Sequence, residues 1–405
     1  MHRARLFAQH LPSYGWTPVI LTVHEKFYEE SLDHNLVKLL PNDLRIEKVK
    51  AFKRLGLIGD IGIRAFFQLY RKAKELIKKE KFDFLYIPIP SFYCALLGRM
   101  LHEKTGIKYG IDYIDPWVHY FPGSETFLSK HWFSTKLAKI LEPIAIKKAS
   151  LITGVAVGYY QPVLERNPHL KNITSGAMPY GGETQDHEIV ESLNILPYLF
   201  QKKNDKMQLV YAGAMLPKAY KPLEKIFEAI VAAKKNFDDV EFHFIGTGKT
   251  PNDLEGYNIK PLAEKYGLFN NVVFEYPARI PYLDVLVHLN MADGIFILGS
   301  TEPHYTPSKV YQAILAEKPI LAVLHRESSA INIIETSGAG CVISFAGLND
   351  IDIIKNSFAY RFFSFRSFMG SYKKEQVNTT LFDEYSACAV TRKLAGLIIK
   401  ALAQI

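Results

Sequence analysis

The sequence predicts an α/β protein built from two doubly wound parallel sheets, and three observations carry that expectation. Apolar runs of strand length alternate with amphipathic segments of helix length in both halves of the chain. The most legible stretch, 292–324, reads as buried strand, polar loop, short helix and second buried strand. At 405 residues the chain is also long for one hydrophobic core, so two domains of about 200 residues each are expected.

Residues 2–11 read as a helix, followed by a turn at Tyr14-Gly15 and a strand over 18–23. A further strand is expected over 44–49. Over 61–79, apolar residues at Ile63, Phe66, Phe67, Tyr70, Ala73, Leu76 and Ile77 follow helical spacing, with a basic opposite face. A buried strand over 82–88, a helix over 91–105 and a strand over 108–114 lead to Asp115-Pro116-Trp117. Helix 135–149 and strand 151–155 complete the first half. Residues 183–206 read as a linker. The second half repeats the alternation: strand 207–211, helix 222–234, strand 241–245, helix 258–266, strand 272–274 and helix 281–290. The final segment, 381–405, reads as one helix. Because the first helix has no strand before it, while 18–23 and 82–88 read as strands needing neighbours on both sides, a first strand is expected to be missing.

An apolar share of 48% and a charged share of 22% describe an ordinary globular protein. Cys94, Cys341 and Cys388 are too widely spaced for a disulfide framework or a metal site, which fits a reducing, cytoplasmic setting. The longest apolar candidate for a membrane span, 82–97, is broken by Asp83, Pro88, Pro90 and Ser91. The net charge of +8 is uneven, because residues 48–81 hold 11 Lys/Arg against 3 Asp/Glu. That basic segment fits either an anionic membrane surface, with the protein peripheral on its inner face, or a solvated helix face. No nucleic-acid partner is expected.

The helix inside 292–324 has a well-marked start. Thr306 suits the N-cap, Pro307 the first helical position, and Ser308 and Lys309 complete the first turn, while Lys318-Pro319 stops it. A helix N-terminus at the carboxyl end of a parallel strand suits a phosphate, and Lys309 adds a full charge there. Gln312 shares its face.

This stretch resembles the donor-site segment of the nucleotide-sugar-dependent glycosyltransferases of the GT-B fold, in particular their retaining family 4. Pro307-Ser308-Lys309-Val310-Tyr311-Gln312, then Ala316 and Pro319, is similar to that family's segment. The resemblance covers most of the chain and is clearest over 207–345. It implies two Rossmann-like domains facing a cleft: an acceptor-side domain over 1–186, a donor-binding domain over 207–380, and a last helix, 381–405, crossing back to the first.

The resemblance further implies transfer of a sugar from a UDP- or GDP-linked donor to a carbohydrate or lipid-linked acceptor in surface polysaccharide or glycolipid synthesis, without a metal ion or other cofactor. Two departures matter. Gln312 replaces the glutamate that usually holds the ribose, and Ala214 replaces an arginine that clamps the diphosphate. The family's other glutamate falls at His304 by strict spacing, or at Glu302 with a longer loop. Donor contacts are therefore expected from Gly213, Lys221 (with Lys218 as substitute), Gly246, Glu302, Thr306, Ser308, Lys309 and Gln312. Gly246-Thr247-Gly248 follows a strand, as in the family, though such a pair is usually just a turn.

Asp115 and His119 are the acid–base candidates. Asp115 stands at a strand end, where it could orient an acceptor hydroxyl or simply cap a turn. Trp117 and Tyr120 could stack on a sugar or belong to the core. Two rival readings share the fold: a sugar-nucleotide epimerase, for which Glu302 and His304 are the hint, and a catalytically silent binding protein, toward which Ala214 and Gln312 point.

Overall fold

The computed structural model describes residues 2–29, 32–54, 59–118, 126–250, 253–302 and 309–404. The chain forms two compact units. Unit 1 holds residues 1–32, 40–181 and 387–405, and unit 2 holds 33–39 and 182–386.

Unit 1 contains α1 (His2–His10), β1 (Val19–Val23), β2 (Arg45–Val49), α2 (Ile61–Lys79), β3 (Phe84–Pro88), α3 (Ala95–Thr105), β4 (Lys108–Tyr113), α4 (Lys130–Ile146), β5 (Leu151–Gly154), α5 (Val157–Arg166) and β6 (Thr174–Ala177), together with the C-terminal helix Ala387–Ala403. All pairings are parallel, but the strands form two separate ladders, β1-β2 and β3-β4-β5-β6. Among the described residues β1 pairs only with β2, and β3 only with β4, so each has an open edge. Both strands line an apolar cavity of about 370 Å³, whose walls include Phe7, Trp16, Val19, Leu76, Phe84 and Leu394.

Local chemistry fixes the helix starts. The Asp60 carboxylate accepts the Ile63 N–H at 2.9 Å and caps α2. Ser129 does the same for α4 through the Trp132 N–H at 3.0 Å, so that helix starts five residues earlier than its apolar pattern suggested. At the carboxyl end of β4 the buried Asp112 is clamped by Arg3, with Nε–Oδ2 at 2.5 Å and Nη2–Oδ1 at 3.1 Å, and it also accepts from Thr153 at 2.8 Å. The first helix is therefore pinned to the sheet by a buried, fully paired charge.

Unit 2 contains α6 (Thr184–Ser192), β7 (Met207–Ala212), α7 (Tyr220–Ala232), β8 (Val240–Ile245), α8 (Lys260–Lys265), β9 (Val273–Tyr276), α9 (Tyr282–Met291), β10 (Gly294–Leu298), α10 (Lys309–Leu315), β11 (Ile320–His325), α11 (Ala330–Ser337), β12 (Gly340–Phe345) and α12 (Asp352–Ser371). Its six strands form one parallel sheet in the order β12-β11-β10-β7-β8-β9. The order reverses between β7 and β10, which is where an open α/β sheet offers a ligand crevice at its carboxyl ends. One buried cluster, including Phe237, Phe242, Phe296, Phe358 and Phe362, packs α7 and α12 on one face, and the cluster around Leu286, Ile297, Val310 and Leu324 packs the other.

Several features differ from the sequence reading, which also gave no expectation for α5, β6 and α11. Within the stretch read as a linker, 184–192 is helical, because Ile189 and Val190 pack against the second cluster. Strand β12 and the 20-residue α12 were not anticipated: α12 scatters phenylalanines over much of its circumference, which obscures any single apolar stripe. The last helix starts at Ala387 rather than 381, after a 3-10 segment over Thr379–Tyr385.

Candidate functional site

Three loops leave the carboxyl ends of neighbouring strands in unit 2. The first begins at Gly213, directly after β7. Its φ of +120° is one that side-chain-bearing residues avoid. A Cβ there would stand 2.7 Å from Lys309 Cε and 3.1 Å from its Nζ, so a side chain at this position would push that amine aside. Lys309, at the start of α10, lays its amine over the Tyr211 ring at 3.6 Å from the centroid. The amine is shut off from solvent and has no hydrogen-bond partner among the described residues. Burial alone pushes its pKa down to about 7. An ammonium donor that meets neither carboxylate nor carbonyl is costly to bury, and an anion arriving at this point would relieve that cost.

One turn on, the half-buried Gln312 accepts a hydrogen bond from His187 Nε2 at 3.0 Å. That tautomer leaves His187 Nδ1 as a buried acceptor that meets no donor at full hydrogen-bond geometry among the described residues. Burial is the main cause lowering the His187 pKa, so the ring is neutral at neutral pH. His187 is a residue that the sequence reading missed. It lies in the stretch taken as linker, 125 positions from its partner, and no motif marks it.

Glu302 and Lys218 form an exposed ion pair at 2.9 Å, and the Thr301 N–H donates to the Lys218 carbonyl at 3.1 Å, so the loops after β10 and β7 are tied together. Lys221 stands exposed on the first turn of α7, 3.4 Å from Glu224. After β8, Gly246 has a φ of +72° and donates its N–H to Tyr276 at 2.8 Å. That loop is held by the buried Glu275, also not anticipated. Its carboxylate accepts from Thr247 Oγ1 at 2.7 Å and from the N–H groups of Asn258, Ile259 and Lys260 at 2.9, 2.9 and 2.7 Å. Four donors on one carboxylate make this a rigid anchor for the loop and for the start of α8.

Of the expected site residues, Gly213, Lys309 and Gln312 thus come with Tyr211 and His187 into one locality, with Lys218–Glu302 on the adjoining loops. Thr306, Ser308 and His304 lie outside the described residues, as do His119 and Tyr120. Asp115 is exposed in the turn after β4 of unit 1. Trp117 is a core residue: it is buried and stacks on Phe92 with ring centroids 5.8 Å apart. Among the described residues no group of three or more His, Cys, Asp or Glu side chains is placed to hold a metal ion. No helix among them is long and apolar enough to cross a membrane.

Solved structures share this architecture over almost the whole chain. A glycosyltransferase from Rickettsia africae superposes with a TM-score of 0.62 at 15% identity, covering 100% of this chain and 95% of its own. HepE of Anabaena in complex with UDP and glucose gives 0.60 at 13%, covering 98% and 95%. The fold is GT-B. A GT-B arrangement is not tied to one chemistry: a structure described as a putative UDP-N-acetylglucosamine 2-epimerase from Listeria monocytogenes gives 0.52 at 11%, covering 98% and 92%. No family model matches the chain, and no curated protein matches it.

Proposed function

We propose that the protein is a glycosyltransferase whose unit 2 binds a nucleoside-diphosphate sugar, UDP- or GDP-linked, at the carboxyl ends of β7, β8 and β10. The observation that carries this reading is Lys309: a buried amine over Tyr211 with no hydrogen-bond partner among the described residues, beside Gly213, at the crevice position of a GT-B unit. A diphosphate supplies the missing acceptors. As the glycosidic bond to the nucleotide breaks, negative charge grows on the departing diphosphate, and a cation fixed in advance in a water-poor site stabilises that charge with little reorganisation. Lys218 and Lys221, on the loop and first turn after β7, are proposed to extend this cationic surface. Gln312, oriented by His187, is proposed to meet the ribose hydroxyls through its amide in place of the usual carboxylate.

Transfer goes to a carbohydrate or lipid-linked acceptor hydroxyl, for which Asp115 of unit 1 is the proposed orienting carboxylate, with retention of anomeric configuration and a place in polysaccharide or glycolipid synthesis. HepE, crystallised with UDP and glucose, and the Rickettsia glycosyltransferase support this reading over epimerisation. The test is incubation of the full-length protein with a panel of UDP- and GDP-sugars. Nucleotide release accompanied by loss of the sugar from the donor supports transfer or its hydrolytic side reaction. A sugar that stays on its nucleotide with inverted C2 configuration replaces this reading with epimerisation, and no turnover together with intact binding replaces it with a silent binding protein.

A further inference from the structure

The basic charge of unit 1 is placed differently from what its sequence suggested. In the segment 48–81 five of the eleven Lys and Arg side chains are in ion pairs among the described residues. Lys48 pairs with Glu25, Arg54 and Arg64 with Glu29, Lys72 with Glu47, and Lys79 with Glu75.

Helix α4 is the opposite case. Its inner face, Thr135, Ala138, Ala145 and Ile146, is buried in the unit 1 core. Its outer face carries Phe133, Leu137, Ile140 and Ile144, exposed by 53, 42, 61 and 41%. Their spacing of four, three and four residues sets them in one stripe along the helix. Phe127 and Leu128, just ahead of the helix, are also exposed, and the Phe127 ring meets Trp132 edge-on at 5.1 Å. Residues 126–150 hold five lysines and a single carboxylate, Glu142. That carboxylate is buried, with Arg166 at 2.8 Å. Lys136, Lys147 and Lys148 are exposed and pair with no carboxylate among the described residues.

We propose that the outer face of α4 seats unit 1 on an anionic lipid bilayer, with the apolar stripe in the headgroup–acyl boundary and the lysines on lipid phosphates. An aliphatic and aromatic stripe bordered by lysines, with no exposed carboxylate on α4 itself among the described residues, is the pattern of an interfacial helix. The charge also argues against a second copy of the chain as occupant. A two-fold pairing of α4 stripes would bring lysines of one sign together. Binding at this face is independent of the donor site on unit 2.

The experiment is co-sedimentation of the full-length protein with vesicles of phosphatidylcholine alone or mixed with phosphatidylglycerol, at low and high salt. Binding to the anionic vesicles, weakened at high salt, is expected. The pair Phe133→Ser with Ile140→Ser should lower partitioning roughly tenfold, as should the triple change Lys136→Gln, Lys147→Gln and Lys148→Gln. Arg71→Gln with Lys78→Gln on α2 should leave it unchanged. All these side chains are solvent-exposed, and circular dichroism verifies that each variant folds. Absence of binding, equal binding to neutral vesicles, or binding indifferent to the α4 changes would overturn the proposal. So would a lipid-free dimer, seen by light scattering, that Ile140→Ser abolishes.

Discussion

Replacing Lys309 with methionine removes the buried amine while leaving a side chain of similar length over Tyr211 and beside Gly213. In the folded protein the amine titrates at about 7, against an ordinary value of 10.5, and burial is the cause. The sign follows from proton counting. Between those two values the unfolded chain holds a proton that the folded chain lacks, so stability rises with pH across this window. The burial cost is fully present below pH 7 and gone above 10.5. Such a depression corresponds to roughly 4–5 kcal/mol, an upper bound since local opening relieves part of it.

Lys309→Met should therefore be the more stable protein at pH 6.5, by about 2–4 kcal/mol in urea unfolding, and the gap should close as the pH approaches 10.5. The same change should weaken binding of UDP or GDP by about 1–3 kcal/mol, since one charge-assisted hydrogen bond to phosphate is lost. Calorimetry adds an independent signature. Above pH 7 the wild-type amine is largely neutral, and a diphosphate favours its charged form, so binding at pH 8 should take up a proton, detected as a heat that depends on the buffer. A variant less stable at pH 6.5, or one with unchanged affinity for every nucleotide that binds the wild type, would refute the assignment of Lys309.

Other consequences are simpler to state. Gly213→Ala puts a Cβ 2.7 Å from Lys309 Cε at a φ of +120° and should cost about 1–3 kcal/mol in unfolding, with nucleotide affinity falling alongside; a neutral result would mean that the lysine sits elsewhere in solution. Gln312→Glu places a carboxylate on His187 Nε2, so the His187 pKa, followed by NMR, should rise, and nucleotide binding should tighten through the ribose; weaker binding would move the ribose contact to another residue. An apolar strand of about five residues plus a short loop, fused ahead of α1, should raise the melting midpoint of unit 1, because β1 and β3 each present an open edge beside an apolar cavity. An unchanged midpoint would show that the cavity does not accept a strand.

The parts of this fold legible in the sequence are those fixed by local pattern. The strands on either side of α10 are continuous apolar runs, as parallel strands buried on both faces must be, and Gly213, Lys309 and Gln312 stood out from turn chemistry, charge and the segment they resemble. What stayed hidden depends on contacts between distant positions. The His187–Gln312 bond joins residues with no shared motif, and Glu275 is one carboxylate on a short strand until four donors converge on it. Helix α12 escaped notice because phenylalanines on several of its faces blur the helical period. The basic segment drew attention by count alone. Counting could not reveal that five of its eleven cations are held in local ion pairs, while fewer lysines on α4 border an apolar stripe.

The central claim is that a nucleoside-diphosphate sugar binds unit 2 around Lys309. Photo-crosslinking with a 5-azido-UDP-sugar, followed by peptide mapping, tests it most directly. The account predicts labelling, competed away by UDP or GDP, in peptides from the loops after β7, β8 and β10, and weaker labelling in Lys309→Met. Labelling confined to unit 1, or labelling that neither nucleotide displaces, would contradict it.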